Sequence, residues 1–260
     1  MSNSNDLSKE LAYMVSNTDF CKMLGESATE KVIKYSDLEK YNDINQVIPE
    51  SKGYRIILVE TKNSTGHYCC LLKYNDRIFE WYDSYGMKPD QEFEFISPKM
   101  QEILDEKIHI LSFMLNKLKK EGGNYFYNKV KFQEMRPNIN TCGKWVCFRV
   151  FCFMKYNFDL GHFQAFMETA KKRSNLPYDI RIFSLTETMD SCRMLDLQDR
   201  YLNNKTTKYL LRDDRVTDAM ETIAMFTKHD GDSQKILFDL QCSWSLKTTF
   251  SLLDVSIVIS

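Results

Sequence analysis

Cys142 followed by Gly143 stands at the start of a long apolar stretch, Trp145 to Met154, that is predicted to be a buried helix. A helix start presents unpaired backbone N–H groups and the positive end of the helix dipole, so a thiol placed there loses its proton more easily. A glycine next to that thiol lets a substrate carbonyl approach the backbone donors. Cys142 is therefore a candidate nucleophile. Because cysteine is often only a small core residue, the prediction depends on its partners.

His67 and Asp83 are the predicted partners of this thiol. His67 begins an apolar run after a polar loop, and Asp83 ends a second strand-like run that starts at Arg77. Two antiparallel strands joined by a turn at residues 73–76 would bring the imidazole and the carboxylate side by side. The carboxylate can hold one tautomer of the imidazole, and the imidazole can take the thiol proton of Cys142. Without the other two residues, His67 would be interpreted as a partly buried strand histidine.

Gln133 is a fourth candidate, nine positions before Cys142. Its side-chain amide could donate a hydrogen bond to a developing oxyanion, beside the backbone N–H of Cys142. Its spacing makes it the weakest of the four predictions.

The order His, Asp, Gln, Cys-Gly resembles that of the adenain-like and ubiquitin-like-protein-specific cysteine proteases. Within that clan, four segments look most like the capsid-maturation proteases of large DNA viruses and virophages: Tyr35-Ser36-Asp37-Leu38, Gly66-His67-Tyr68, Trp81-Tyr82-Asp83-Ser84-Tyr85-Gly86 with Lys88-Pro89-Asp90, and Thr141-Cys142-Gly143-Lys144-Trp145. Tyr68 stands where the family commonly has tryptophan. The gap between Gln133 and Cys142 is longer than in the best-known members.

The resemblance implies an α+β fold with a papain-like or adenain-like core, in which a central mixed sheet packs against the nucleophile helix. It covers roughly residues 36–185, so the chain is divided into a helical N-terminal extension (1–35), a cysteine protease domain (36–185) and an α/β C-terminal extension (186–260). The implied activity is endoproteolysis of viral structural precursors, with a capsid protein as substrate, in the virion or the host-cell cytoplasm. It allows for activation by a peptide or a nucleic acid.

Composition sets limits that agree with an enzyme. Lys+Arg number 35 and Asp+Glu 36, so no global basic field favours nucleic acid. The eight cysteines include no zinc-binding spacing, and neither a metal nor a cofactor is predicted. The chain starts with polar residues, so a signal peptide is not expected. It has no apolar run of roughly 20 residues, so a membrane span is not expected either. The cysteines are therefore expected to be free thiols in a reducing compartment.

Periodicity predicts the remaining elements. Helices are expected at Leu7 to Ser16 and Asp19 to Lys34, and one continuous helix from Pro98 to Gly122. Strands are expected at Tyr54 to Glu60, Tyr125 to Phe132 and Tyr178 to Leu185. Beyond residue 186, helical patterns at 191–201 and 217–228 and alternation at 248–259 carry no motif with recognisable chemistry.

Two other functions fit the same residues. One is an isopeptidase that removes ubiquitin or a ubiquitin-like modifier, since the same catalytic order serves both reactions. The other is a binding module that keeps the fold without catalysis. The inactive module is disfavoured because a scaffold has no physical need for all four candidate residues.

Overall fold

A five-stranded mixed sheet organises the computed structural model, which describes residues 3–62, 64–105, 109–174, 176–183, 185–186 and 189. The strands lie in chain order: β1 Val32–Lys34, β2 Gly53–Lys62, β3 Thr65–Asn75, β4 Ile78–Tyr82 and β5 Asn124–Tyr127. The central pairs β2–β3 and β3–β4 are antiparallel, whereas the outer pairs β1–β2 and β4–β5 are parallel. This confirms the α+β class and the mixed sheet.

Helices cover both faces of the sheet. They are α1 Asn3–Ala12, α2 Asn17–Leu24, α3 Ile44–Val47, α4 Pro98–Ile103, α5 Ile110–Lys120, α6 Cys142–Tyr156 and α7 Leu160–Ser174. Three short 3₁₀ helices, Glu26–Lys31, Tyr35–Lys40 and Gln91–Phe95, connect them. In the part of the chain that the structure describes, no helix is long and apolar enough to cross a membrane.

The two faces of the sheet belong to separate cores because neighbouring residues of a strand point to opposite sides. Cys70 of β3 packs in the cluster that contains α6, whereas Cys69 packs in the cluster that contains α5. Both thiols are buried. The central strands are thus nearly continuous apolar runs, buried on both faces.

A buried ion pair joins α6 to β4. Arg149 and Glu80 are both fully buried, and two nitrogens of the guanidinium donate to the carboxylate at 2.8 and 2.6 Å. Arg149 also donates to the Phe158 carbonyl and to the Tyr74 hydroxyl. Because a paired, bidentate arginine satisfies its donors in one geometry, this contact fixes the rotation of α6 against the sheet.

Several predicted elements were wrong in extent or type. The predicted helix Asp19 to Lys34 ends at Gly25, whose φ of 107° cannot continue a helix, and residues 32–34 become β1. The helix from Pro98 ends at Ile103, followed by Asp105 with φ of 58°, and a second helix begins at Ile110.

Two predicted strands also differ. The strand predicted from Tyr125 ends at Tyr127, because the Asn128 side chain bonds the carbonyls of Asp83 and Val130. Residues 178–183 are helical rather than extended, after Pro177, which suits a helix start. The patterns predicted at 191–201, 217–228 and 248–259 lie outside the described residues.

Candidate active site

His67 and Asp83 meet at one end of the central hairpin. The register pairs Cys70 with Tyr82, so Asp83 directly follows β4 beside the start of β3, where His67 lies. His67 Nε2 and Asp83 Oδ1 are 2.6 Å apart. The hairpin predicted from the sequence therefore produces the imidazole–carboxylate contact expected of it.

The turn after β4 fixes the Asp83 carboxylate. Its Oδ1 also accepts the backbone N–H of Tyr85 at 2.9 Å, and its Oδ2 accepts that of Met87 at 3.1 Å. The Asn128 side chain donates to the Asp83 carbonyl at 2.7 Å. Bonds from backbone donors to both oxygens limit rotation of the carboxylate, which suits a group that orients His67.

Cys142 is the first residue of α6, as predicted. Thr141 is the N-cap residue, but its side chain makes no capping bond to the helix and instead donates to Asp179 Oδ1 at 2.5 Å. The N–H groups of the first turn are therefore left for the thiol or a ligand. Asp179 also accepts the Glu134 N–H and the Trp145 indole N–H.

The pKa of the Cys142 thiol is lowered from its ordinary value. Burial raises it, but hydrogen bonding and positive charge from His67 together with the backbone N–H groups of Tyr68 and Gly143 more than offset that effect. Since Nε2 of His67 faces Asp83, Nδ1 is the ring nitrogen left for the sulfur.

The pKa of His67 is shifted upward, well above its ordinary value. Burial lowers it, and the charge and hydrogen bond of Asp83, with a smaller effect of Cys142, overcome the burial. His67 and Cys142 are only 8% and 9% exposed. Opposite shifts of a neighbouring thiol and imidazole favour a thiolate–imidazolium pair, the reactive form of a cysteine nucleophile.

Gln133 is buried, and its carboxamide is fully engaged. The Ser84 hydroxyl donates to Oε1 at 2.7 Å, and Nε2 donates to the Ile139 carbonyl at 3.0 Å and to the Tyr85 hydroxyl at 3.3 Å. This network connects the loop before α6 to the turn after Asp83. The oxyanion role of Gln133 stays a prediction, because both amide hydrogens have other acceptors in this structure.

Tyr85 is a site residue whose role was not predicted from the sequence. Its ring stacks on the His67 imidazole, with centroids 4.3 Å apart and an interplanar angle of 18°. Its hydroxyl receives the Gln133 hydrogen bond. The stack limits rotation of the imidazole, so Tyr85 positions His67 between the sulfur and the carboxylate.

Loss of this stack should slow the thiol chemistry. We expect Tyr85→Leu to reduce the rate of Cys142 alkylation by iodoacetamide about 2–10-fold, the range that corresponds to one aromatic contact. Tyr85→Phe keeps the stacking ring and should stay near the wild-type rate. Mass-spectrometric quantification of the Cys142 peptide over time measures both variants, and equal slowing by leucine and phenylalanine would assign the effect to the hydroxyl instead.

Gly143 is closed in by the segment between α1 and α2. A Cβ built on Gly143 would lie 2.5 Å from the Val15 Cβ, so a larger residue does not fit. Asn140 bonds the carbonyls of Leu11 and Ala12, each at 2.7 Å. The glycine therefore serves packing against the N-terminal segment, besides any approach by substrate.

Glu92 lies behind the His67–Asp83 pair and is 6% exposed. Cys69 Sγ donates to its Oε1 at 3.2 Å. Burial, reinforced by the negative charge of Asp83, raises the pKa of Glu92 to about 8. At neutral pH the carboxyl is therefore protonated in the folded chain, which avoids two adjacent buried negative charges.

The raised pKa of Glu92 makes folding pH-dependent. The folded state holds this proton more tightly than the unfolded chain, so its stabilising effect is lost as pH rises from the unfolded pKa of about 4.3 to about 8. In the wild type the unfolding free energy should fall as pH rises over this range. We expect this fall to be smaller in Glu92→Gln by on the order of 2 kcal/mol. The expected difference is below the full value of the pKa shift because the pocket can relax. Urea unfolding across this pH range, in buffer that contains a metal chelator, measures the difference between the two proteins. The exposed neighbour Glu94→Gln is the matched control and should leave the slope unchanged.

Cys147 and Cys152 are core residues. His162 is exposed and bonds to Asp159, and His109 lies before α5 with its ring against Phe93. None of the six described cysteines forms a disulfide. The structure thus brings together Cys142, His67 and Asp83, and connects Gln133 to them through Tyr85.

This α+β chain contains a buried thiol, imidazole and carboxylate. Comparison with known proteins assigns it to a family that includes a virophage protein. The uncharacterized protein V9 of Sputnik virophage is 35% identical over 146 residues, which span 55% of this chain and 80% of V9. With this identity over most of V9, the chain belongs to the same family as V9. No solved structure matches the chain.

A different similarity covers the C-terminal part. Residues 183–250 match the family model of the N-terminal acetyltransferase A auxiliary subunit. The NAA15 subunit of Arabidopsis thaliana is 44% identical over 55 residues, and the human NAA16 subunit is 36% identical over 56 residues. The chain spans 6% of the length of each of these subunits.

Proposed function

We propose that this protein is a cysteine endopeptidase with a papain-like or adenain-like core that processes viral structural precursor proteins. The observation that carries the proposal is the buried contact of three side chains distant in sequence, Cys142, His67 and Asp83, at the start of an apolar helix. Buried charges are costly unless they are paired, so such a cluster at a helix start is typical of a catalytic site.

The geometry supports acyl transfer. The Cys142 thiolate attacks the peptide carbonyl carbon, and the C=O electron pair moves to oxygen, which the free N–H groups of the first turn of α6 can bind. The His67 imidazolium then gives its proton to the leaving amine as the C–N bond breaks. Water hydrolyses the thioester with His67 as base, and Asp83 holds the ring throughout.

The substrate class is supported by family membership and by the sequence resemblance. V9 is a virophage protein, and the four motifs resemble capsid-maturation proteases. A capsid precursor is therefore the proposed partner, cleaved in the virion or in the host-cell cytoplasm during assembly.

Co-expression tests this proposal. We expect the full chain, expressed with the capsid proteins of its own virophage, to convert a precursor into shorter bands whose new termini can be sequenced. Cys142→Ala should leave the precursor intact, and Cys147→Ala, a core cysteine on the same helix, should still process it. Identical banding with wild type and Cys142→Ala would reject capsid processing.

Two outcomes identify the alternatives. Rapid labelling of Cys142 by a ubiquitin or ubiquitin-like modifier with a C-terminal electrophile would indicate an isopeptidase. An alkylation rate of Cys142 that does not change when His67 is replaced would indicate a binding module without catalysis.

A second proposal concerns residues 183–250. Because auxiliary subunits belong to a complex, the similarity supports a role of this segment in binding a partner protein, such as a component of the host N-terminal acetyltransferase. Pull-down of purified acetyltransferase subunits by the full chain tests it. No binding at micromolar concentrations would count against this role.

A further inference from the structure

The structure assigns a transition-metal site to His67, Cys69, Asp83 and Glu92, behind the proposed catalytic thiol. One ligand atom of each residue lies within 4.8 Å of the others, and all four side chains are buried. They combine one imidazole, one thiol and two carboxylates, the donors that zinc takes in proteins. The metal site goes beyond the proposed peptidase function and does not depend on it, whereas its effect on catalysis rests on that function.

The placement of the four residues follows from the sheet. His67 and Cys69 are two positions apart in β3 and so share one face, and Asp83 follows the neighbouring strand β4. Glu92 comes from the 3₁₀ helix Gln91–Phe95 on the same side. Four side chains from three segments therefore converge on one buried point.

Glu92 supplies the independent observation that points to a ligand. Its Oε1 accepts the Cys69 thiol, but its Oε2 is buried and has no hydrogen-bond partner among the described residues. A buried carboxylate oxygen without a partner is costly, and a metal ion is one way to satisfy it. Within the described part of the chain, Asp83 Oδ2 accepts one hydrogen bond, from the Met87 N–H, and so it can still bind an ion.

The distances fit a small tetrahedral ion. Zinc–ligand bonds of roughly 2.0–2.3 Å place tetrahedral ligands roughly 3.3–3.8 Å apart, inside the limit observed for this cluster. The ion would replace the Cys69 thiol proton, the proton between His67 and Asp83 and the proton of Glu92, which pass to solvent. The His67–Asp83 distance of 2.6 Å must then lengthen, or Asp83 must bind through Oδ2.

Metal binding and catalysis exclude each other. A neutral imidazole that binds metal through Nε2 carries its proton on Nδ1, so it cannot accept the proton of the Cys142 thiol. Asp83 would also be withdrawn from the imidazole. The site would therefore hold the enzyme inactive without contact between the ion and the nucleophile.

Cobalt spectroscopy on the full chain tests the site without any assay of activity. The test uses the Cys142→Ala variant, which removes the thiol that would otherwise bind metal beside His67. Because the ligands are buried, Co²⁺ is supplied both to the folded protein and during expression. We expect one equivalent of Co²⁺, with the absorption of four-coordinate cobalt and a thiolate-to-cobalt band. Zn²⁺ should displace it.

Further variants identify the ligands. Adding Cys69→Ser should remove the thiolate band, whereas adding Cys70→Ser, the adjacent buried cysteine of the opposite face, should keep it. Adding Glu92→Gln should keep the thiolate band but weaken Co²⁺ affinity. The loss should exceed the ~10–100-fold that follows when a residue that only hydrogen-bonds to a metal ligand is removed. Circular dichroism checks that each variant folds.

The site would be rejected by the lack of a thiolate–cobalt band after both routes of loading. It would also be rejected by a band that survives Cys69→Ser. If Cys69→Ser does not fold, unchanged cobalt affinity in Glu92→Gln would reject it. None of these results bears on capsid processing, which is tested with the intact nucleophile.

Discussion

Replacing His67 by alanine should slow alkylation of Cys142 at pH 6 by about 10–100-fold. An ordinary thiol with a pKa of about 8.5 is ionised to only about one part in 300 at this pH. In the folded chain His67 lowers the pKa of Cys142, so a larger fraction of the wild-type sulfur is expected to be thiolate at this pH. The lower nucleophilicity of a low-pKa thiolate offsets part of the gain.

The measurement follows iodoacetamide labelling of the Cys142 peptide by mass spectrometry. Burial raises the pKa of Cys69 and Cys70, so these thiols should stay unlabelled at pH 6. His162→Ala is the matched control, because this exposed histidine is remote in sequence from the triad and bonds to Asp159. On a processed precursor, His67→Ala should lower turnover by on the order of 10⁴-fold or more. Equal labelling rates in wild type and His67→Ala would refute the catalytic pair.

Replacing Arg149 by methionine should destabilise the fold by about 3–5 kcal/mol, because Glu80 is left as a buried, uncompensated charge. The Tyr74 hydroxyl and the Phe158 carbonyl also lose a donor. This loss of stability comes from leaving the Glu80 carboxylate buried without its partner. It is larger than the net stabilisation that an intact buried pair contributes. Urea unfolding followed by circular dichroism measures it.

A double variant separates charge from packing. Adding Glu80→Gln removes the stranded charge while keeping an acceptor for Tyr74, and it should recover a large part of the lost stability. Lys155→Met is the control on the same helix, since Lys155 is only partly buried there and should cost less than about 1 kcal/mol. An equal loss in the single and double variants would contradict the electrostatic cause.

The sequence was sufficient to predict the parts of the site that follow from local pattern. Short apolar and strand-like runs predicted β2, β3 and β4, and the short turn between β3 and β4 brings His67 and Asp83 close together. The apolar run after Gly143 predicted α6 and put Cys142 at its start. These features depend on residues close in sequence or on one hairpin.

The roles of Glu92, Asp179 and Tyr85 could not be predicted, because each depends on contacts between distant segments. Asp179 reaches Thr141 from a segment interpreted as a strand, and Glu92 enters from a short 3₁₀ helix without periodicity. A buried carboxyl has no signature in a sequence. The helix boundaries at Gly25 and Asp105 failed because apolar spacing continued past residues with positive φ.

Val15 and Gly143 of α6 pack together across a large separation in the chain, and this contact has a consequence for the order of synthesis. The ribosome releases Val15 early and the segment with Gly143 roughly a hundred residues or more later, since domains emerge from the N-terminus onward. The nascent polypeptide can form the central hairpin first. Its N-terminal segment cannot pack against α6 until that helix has emerged from the ribosome. Packing of the first segment against Gly143 is therefore a late event in synthesis.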